Sequence, residues 1–144
     1  MQELVEYIKE HDQVLKALGI EPVECRPGYA RTRMALDGRQ ANSVGIAHGG
    51  ALFSLADLAL ALAANAHGRL ALTLNLFISY LAPGVNGPFE AEAVEVSSSS
   101  KVANYEIKVR DADGMVVALC QGLVYKKEDT FPPFPISAGK NERQ

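Results

Sequence analysis

No apolar run in this chain reaches the ~20 residues that a helix needs to cross a bilayer. The greasiest stretch, Ala51 to Ala64, is broken by Ser54 and Asp57. The first twenty residues carry Glu3, Glu6, Glu10 and Asp12, which is wrong for the positive start and apolar centre of a signal peptide. Positive charge is not in excess. Fourteen Lys and Arg stand against 17 Asp and Glu, for a net charge of -3, which argues against a nucleic-acid binder. Only two cysteines occur, Cys25 and Cys120; they make neither a disulfide framework nor a zinc spacing and read as reduced cytosolic thiols. The three histidines, His11, His48 and His67, are scattered without metal-ligand spacing. No serine sits in a G-x-S-x-G elbow, and neither a phosphate loop nor a dinucleotide fingerprint is present. The chain is therefore expected to be soluble and cytoplasmic, with no metal, resident cofactor, membrane or nucleic-acid partner.

What is there is enough for a core. The chain has 144 residues and 48% hydrophobic content, which suits one domain. That domain is expected over 1–126, followed by a Pro-rich, charged and loosely ordered tail over 127–144. The apolar spacing of Leu4, Val5, Ile8, Leu15 and Leu18 predicts an N-terminal amphipathic helix over 2–18, stopped by Gly19. A strand region over 23–37, broken near Pro27-Gly28, leads through a loop to a long helix over about 48–66. Strand patterns follow over 70–81, 89–96, 102–110 and 115–125, separated by turn signals such as Pro83-Gly84 and Asp111–Gly114. The fold class is α+β, with one curved antiparallel sheet wrapped around the central helix. That helix is apolar almost all round, so it should be enclosed. One sheet of this size does not cover every side of it, and dimerisation across a sheet edge is the natural remedy.

The stretch Asn42 to Asn65, NSVGIAHGGALFSLADLALALAAN, carries the chemistry. Two glycines at a helix start present bare N–H groups that can hold developing negative charge and let a ligand approach without a Cβ in the way. A carboxylate further along, at Asp57, is costly to bury and so needs a partner or a task. An oxyanion donor and a carboxylate together suit hydrolysis of an acyl group. Gly49 and Asp57 are eight positions apart, or ~12 Å along one helix. That is too far to share one carbonyl, so the motif predicts composite sites built from two antiparallel helices of a dimer.

The pattern N-x-x-G-x-x-H-G-G-A-L-F-S-L-A-D, Asn42 to Asp57, resembles the signature of hotdog-fold acyl-CoA thioesterases, and within them the PaaI-type, phenylacetyl-CoA thioesterase group. The segments Thr73 to Pro83 and Val109 to Ala118 resemble the strands that follow in that family. The resemblance implies a hotdog fold, a homodimer as active unit, commonly in a homotetramer, and acyl-CoA as substrate. It implies that Asp57 is the catalytic carboxylate and Gly49 the backbone donor, that Asn42 helps hold the water or thioester, and that Thr73 supplies a supporting hydroxyl. His48, Gly50, Phe53 and Ser54 fall at the substrate side. Pro83, Ser100 and Lys101 are the candidate CoA contacts, although many relatives carry Gly before the basic residue where this chain has Ser100.

Blander readings stand beside these. Asp57 is alternatively a structural carboxylate, His48 a cap that fixes the glycine turn, and Asn42 an ordinary loop-turning residue. Ser54 can bond back to its own helix. Phe53, Leu52 and Leu58 line an acyl pocket or belong to the core. The rival to a thioesterase is a hotdog module that binds acyl-CoA without hydrolysing it. A hotdog hydratase is disfavoured, since the paired Asp and His expected before the helix are missing.

Overall fold

The computed structural model describes residues 1–132. Six strands form one antiparallel sheet, and a 17-residue helix lies against it. In chain order the elements are α1 (Gln2–His11), α2 (Gln13–Leu18), β1 (Ile20–Arg26), β2 (Tyr29–Met34), α3 (Gly49–Asn65), β3 (Arg69–Tyr80), β4 (Phe89–Ser98), β5 (Val102–Arg110) and β6 (Val116–Thr130). The strand order is β1-β2-β4-β5-β6-β3. Register shifts at Pro22/Glu24, Thr73/Asn75 and Glu95/Ser97 are bulges, which bend strands and raise the local twist. The sheet curves around α3, as expected.

The core is where sheet and helix meet. Ala91, Ala93, Ala103, Tyr105, Ile107, Val109, Ala118 and Val124 face Leu55, Ala56, Ala59, Leu60 and Ala63, and all are almost fully buried. Alternation along β5 (Ala103, Tyr105, Ile107, Val109) is the period-2 pattern visible in the chain. Two buried polar groups tie the layers together. The Thr32 hydroxyl on β2 donates to the Leu55 carbonyl at 2.9 Å. Asn65, at the end of α3, accepts from Ala71 N and donates to the Ala61 carbonyl. A buried hydroxyl or amide satisfied in this way avoids its desolvation cost.

Four expectations need correction. The N-terminal helix is two helices. The chain breaks at Asp12, where ψ is 110° and the carboxylate caps α2 by accepting from Leu15 N at 2.9 Å; an Asp cap opens a helix more readily than it continues one. The first hairpin begins earlier than 23, at Ile20, and its strands end at Met34. The last strand does not stop near 125 but runs to Thr130, held by pairing with β3 as far as Arg69. It thus passes the domain end expected at 126, and residues 133–144 of the expected tail lie outside the described residues. Finally, α3 is not enclosed all round. Gly49, Gly50, Phe53, Ser54, Asp57 and Ala61 are the helix residues that are not buried. At 100° per residue they form one continuous stripe centred on Asp57.

Candidate active site

The head of α3 is built by a loop that holds three N–H groups and leaves one. His48 is the N-cap, with extended backbone (φ -63°, ψ 135°). Its Nδ1 accepts from Gly50 N at 2.8 Å, so the ring proton sits on Nε2. The His48 carbonyl accepts from Ala51 N and Leu52 N. The N–H of Gly49 meets no acceptor among the described residues. It is the first donor of a 17-residue helix, where the macrodipole favours negative charge. The carbonyl of the same residue accepts from the Tyr80 hydroxyl at 2.6 Å, which pins the end of β3 to the helix head. A Cβ on Gly49 would lie 2.9 Å from the Tyr80 oxygen and 3.1 Å from its Cζ. The glycine is thus a steric requirement of the site.

Asp57 sits two turns further along, half-buried in the open stripe. Burial pushes its carboxyl above the ordinary carboxylate range, and the negative charge of Asp12 pushes the same way. A hydrogen bond from Thr73 Oγ1, at 3.5 Å, opposes both. No basic side chain among the described residues forms an ion pair with it. A desolvated carboxylate without a counter-charge is a stronger base than one in water. Asp57 therefore has no cation to pair with among the described residues. Both groups lie on one unbroken helix, so they remain ~12 Å apart along its axis.

Other expected residues are placed as follows. Asn42 organises the loop: its Oδ1 accepts from Val44 N at 3.0 Å and Ile46 N at 3.3 Å. Its amide NH2 donates to nothing among the described residues, so that group remains available. Ser54 donates to the Gly50 carbonyl at 2.8 Å, which is the back-bond to its own helix. Phe53 is half-open, whereas Leu52 and Leu58 are core residues at 2% and 4% exposure. Pro83 is exposed in the loop after β3, whose Gly84 carbonyl accepts from Ala47 N at 2.8 Å.

Ser100 and Lys101 are not beside Gly49 of the same chain. The Ser100 carbonyl accepts from Arg69, at the start of β3, while Gly49 is held by Tyr80 at its end. Twelve residues of strand separate these points by roughly 35 Å. Of the cations on the neighbouring strands, Lys108 pairs with Glu106 and Arg110 with Glu92, and Lys126 is tied to the Ser98–Ser99 turn.

Two residues escape sequence reasoning. Tyr80 reads as one more strand aromatic, and only the fold shows its hydroxyl on Gly49. Gln40 is fully buried. Its side chain accepts from Asp37 N and donates to the Leu18 carbonyl, and its own carbonyl accepts from His48 N. It links the end of α2 to the helix head. Nothing local signals its burial, because Gln40 lies in a polar loop.

Comparison with known proteins agrees with this architecture. Residues 44–118 match the family model described as Thioesterase superfamily. A relative in Archaeoglobus fulgidus is 36% identical over 134 residues, 92% of this chain and 87% of the relative. The acyl-coenzyme A thioesterase PaaI of Escherichia coli is 34% identical over 114 residues, covering 78% of this chain and 81% of that protein. The structure of the E. coli PaaI protein from the phenylacetic acid degradation operon superposes with a TM-score of 0.84 at 31% identity, over 90% of this chain and 94% of that one. A mutant of the phenylacetic acid degradation protein PaaI from Thermus thermophilus superposes at 0.75 with 37% identity, over 81% and 100%. With its glycine-fronted helix, its lone carboxylate and these likenesses, the chain belongs to the thioesterase superfamily, in the PaaI-type hotdog branch, and is a thioester hydrolase.

Proposed function

We propose that the protein hydrolyses acyl-CoA thioesters whose acyl group is aryl, of the phenylacetyl type, or an alkyl chain of short to medium length. The products are the free acid and CoA, and the setting is the cytoplasm. The observation that carries the reading is a single one. One helix offers an unclaimed N–H at its head and, two turns on, a desolvated carboxylate with no ion-pair partner among the described residues.

The active unit is a homodimer. Two features support it. The first is the ~12 Å between Gly49 and Asp57 on one helix, which an antiparallel second helix would close. The second is the contrast between the sheet edges. The β1 edge carries Pro22 and a bulge, devices that blunt an edge. The β3 edge is twelve residues long and exposes Leu72, Leu74, Phe77 and Tyr80. Antiparallel pairing of β3 with a second copy covers this edge. It also carries Ser100 and Lys101 of the partner subunit toward the Gly49 end, where, with Pro83, they meet the CoA moiety. Two such dimers form the homotetramer.

In each composite site Asp57 of one chain takes a proton from water, and the resulting hydroxide adds to the thioester carbonyl. The oxyanion accepts from Gly49 N–H of the other chain, with the Asn42 amide close by. The carbonyl re-forms, the C–S bond breaks and CoA leaves as its thiolate, which needs no strong acid. Thr73 orients the carboxylate. A panel of acyl-CoAs followed by thiol release, with Asp57→Ala beside the parent, tests the reading. Undiminished hydrolysis by the variant overturns it, and tight binding without thiol release identifies a non-catalytic acyl-CoA module instead. Single-turnover hydrolysis in labelled water separates the two roles open to the carboxylate: label carried into Asp57 means a nucleophile, not a base.

A further inference from the structure

We infer that the acyl group of the substrate lies in the groove between α2 and the head of α3, and that Val14 and Ala17 on α2 set which acyl groups fit. This rests on the thioesterase reading above.

The groove has a volume of about 540 Å³, within the ~300–1,000 Å³ typical of small-molecule sites. One wall is α2, through Val14, Ala17 and Leu18. The other is the open stripe of α3, through Gly50, Ala51 and Ser54, with His48 at the head. The lining is thus mostly apolar on the α2 side, where Gln13 is its one polar residue, and it reaches the helix head through His48 and Gly50, the neighbours of Gly49. The groove adjoins that helix end through His48 and Gly50, so a carbonyl carbon seated at the Gly49 N–H has this groove within reach of its acyl substituent. Burial of apolar area favours the groove over water.

Val14 supports the same conclusion from its side. It is 49% exposed, although it sits on a short helix whose neighbouring apolar residue, Leu15, is buried at 6%. The helix is rigidly placed. Asp12 caps its start, and Gln40 bonds the Leu18 carbonyl at its end while its own backbone holds His48. The wall that carries Val14 and Ala17 is therefore tied to the same residue that builds the donor end of the site. Three polar side chains on the lining are answered within the chain, and His48 is answered at Nδ1; Gln13 donates to the His11 carbonyl at 3.3 Å. Ser54 donates to the Gly50 carbonyl, and Arg39 is paired with Asp37 at 2.8 Å. Nothing in the groove calls for a charged acyl terminus, so the acyl class is apolar: a ring or an unsubstituted chain.

The test uses the full-length protein and four substrates: acetyl-, hexanoyl-, octanoyl- and phenylacetyl-CoA. The readout is the ratio of kcat/KM for each larger substrate to that for acetyl-CoA. Ala17→Trp fills the groove and is expected to lower the octanoyl and phenylacetyl ratios at least tenfold, through KM. Val14→Ala, at an exposed position that the fold tolerates, widens it and is expected to raise the octanoyl ratio above the phenylacetyl ratio. If the parent hydrolyses acyl-CoAs but both variants keep the parental ratios, the acyl group lies elsewhere and this inference falls alone. If the parent releases no thiol from any of the four, the thioesterase reading falls and takes the inference with it.

Discussion

The Tyr80 hydroxyl donates to the Gly49 carbonyl at 2.6 Å, and its ring occupies the space that a Gly49 side chain would need. Residue 49, which carries the unclaimed N–H, is thereby held through its carbonyl from the far end of β3. Position 49 has helical backbone, so its glycine is not required for a left-handed turn. It is required because Tyr80 is there. Gly49→Ala is expected to fold but to push Tyr80 aside and tilt the donor, lowering kcat by roughly 10²-fold, as loss of an oxyanion donor does. Tyr80→Phe in the same background relieves the 2.9 Å contact with the oxygen and should recover part of the loss. Steady-state kinetics with the best acyl-CoA of the panel checks both.

In the proposed reaction Asp57 is the base, and its burial sets it against stability. Its carboxyl is raised in the folded state, mainly by burial. Above the folded value the fold bears the cost of the charge; below the unfolded value the carboxyl is protonated in both states and the cost vanishes. Asp57→Asn should therefore abolish most hydrolysis and yet raise Tm at pH 7 by roughly a few degrees. The gain should disappear near pH 3. Thermal unfolding of parent and variant across pH measures it.

The acid limb of kcat/KM follows the same carboxyl. Activity should fall with decreasing pH at a value above the 3.8 of an ordinary aspartate. Asp12→Asn removes a neighbouring negative charge but keeps an N-cap oxygen, and should move the limb to lower pH. Thr73→Val removes the hydrogen bond that lowers the value and should move it to higher pH. Shifts in the reverse directions would show that the limb belongs to another group.

The two ends of the Asn42 amide can be tested separately. Its oxygen holds the loop over 42–46, while its NH2 is unclaimed among the described residues. Asn42→Asp keeps an acceptor for Val44 N and Ile46 N and removes the donor. The expected result is a preserved Tm with hydrolysis reduced roughly tenfold or more, in line with loss of one charge-assisted hydrogen bond. Equal losses of both would make Asn42 a loop residue only.

Complementation checks the composite site directly. Gly49→Ala and Asp57→Asn chains are each expected to be nearly inactive. When they are mixed and allowed to exchange, half the dimers are mixed, and each of these has one site with both functional groups intact. About one quarter of parental activity should return. No recovery, with exchange verified by mass, would place Gly49 and Asp57 of the same chain in one site.

Much of this molecule is legible in the chain. Strand β5 can be read at its actual limits because its two faces differ sharply, Tyr105, Ile107 and Val109 being buried and Glu106 exposed. The helix over Gly49–Asn65 can be read to within a residue, because two glycines open it and His67-Gly68 follows it. Asp57 stands out as the one charge in an apolar run. The division at Asp12 is harder, since the apolar spacing continues across it while a local side-chain bond decides the break. The reach of β6 to Thr130 is invisible, because Lys127, Glu128 and Asp129 read as tail, and only β3 gives the chain beyond them a partner, Arg69 opposite Thr130.

By itself, then, the sequence determined the elements, the glycine-fronted helix and the lone acid, since periodicity, propensity and burial cost are local properties of a chain. The tertiary structure decided which stripe of α3 stays open, that Tyr80 and not a turn demands Gly49, that Gln40 braces the helix head, and that α2 supplies the groove. These follow from distances between residues tens of positions apart. Such distances are settled by how helix and sheet pack, and no local pattern records them.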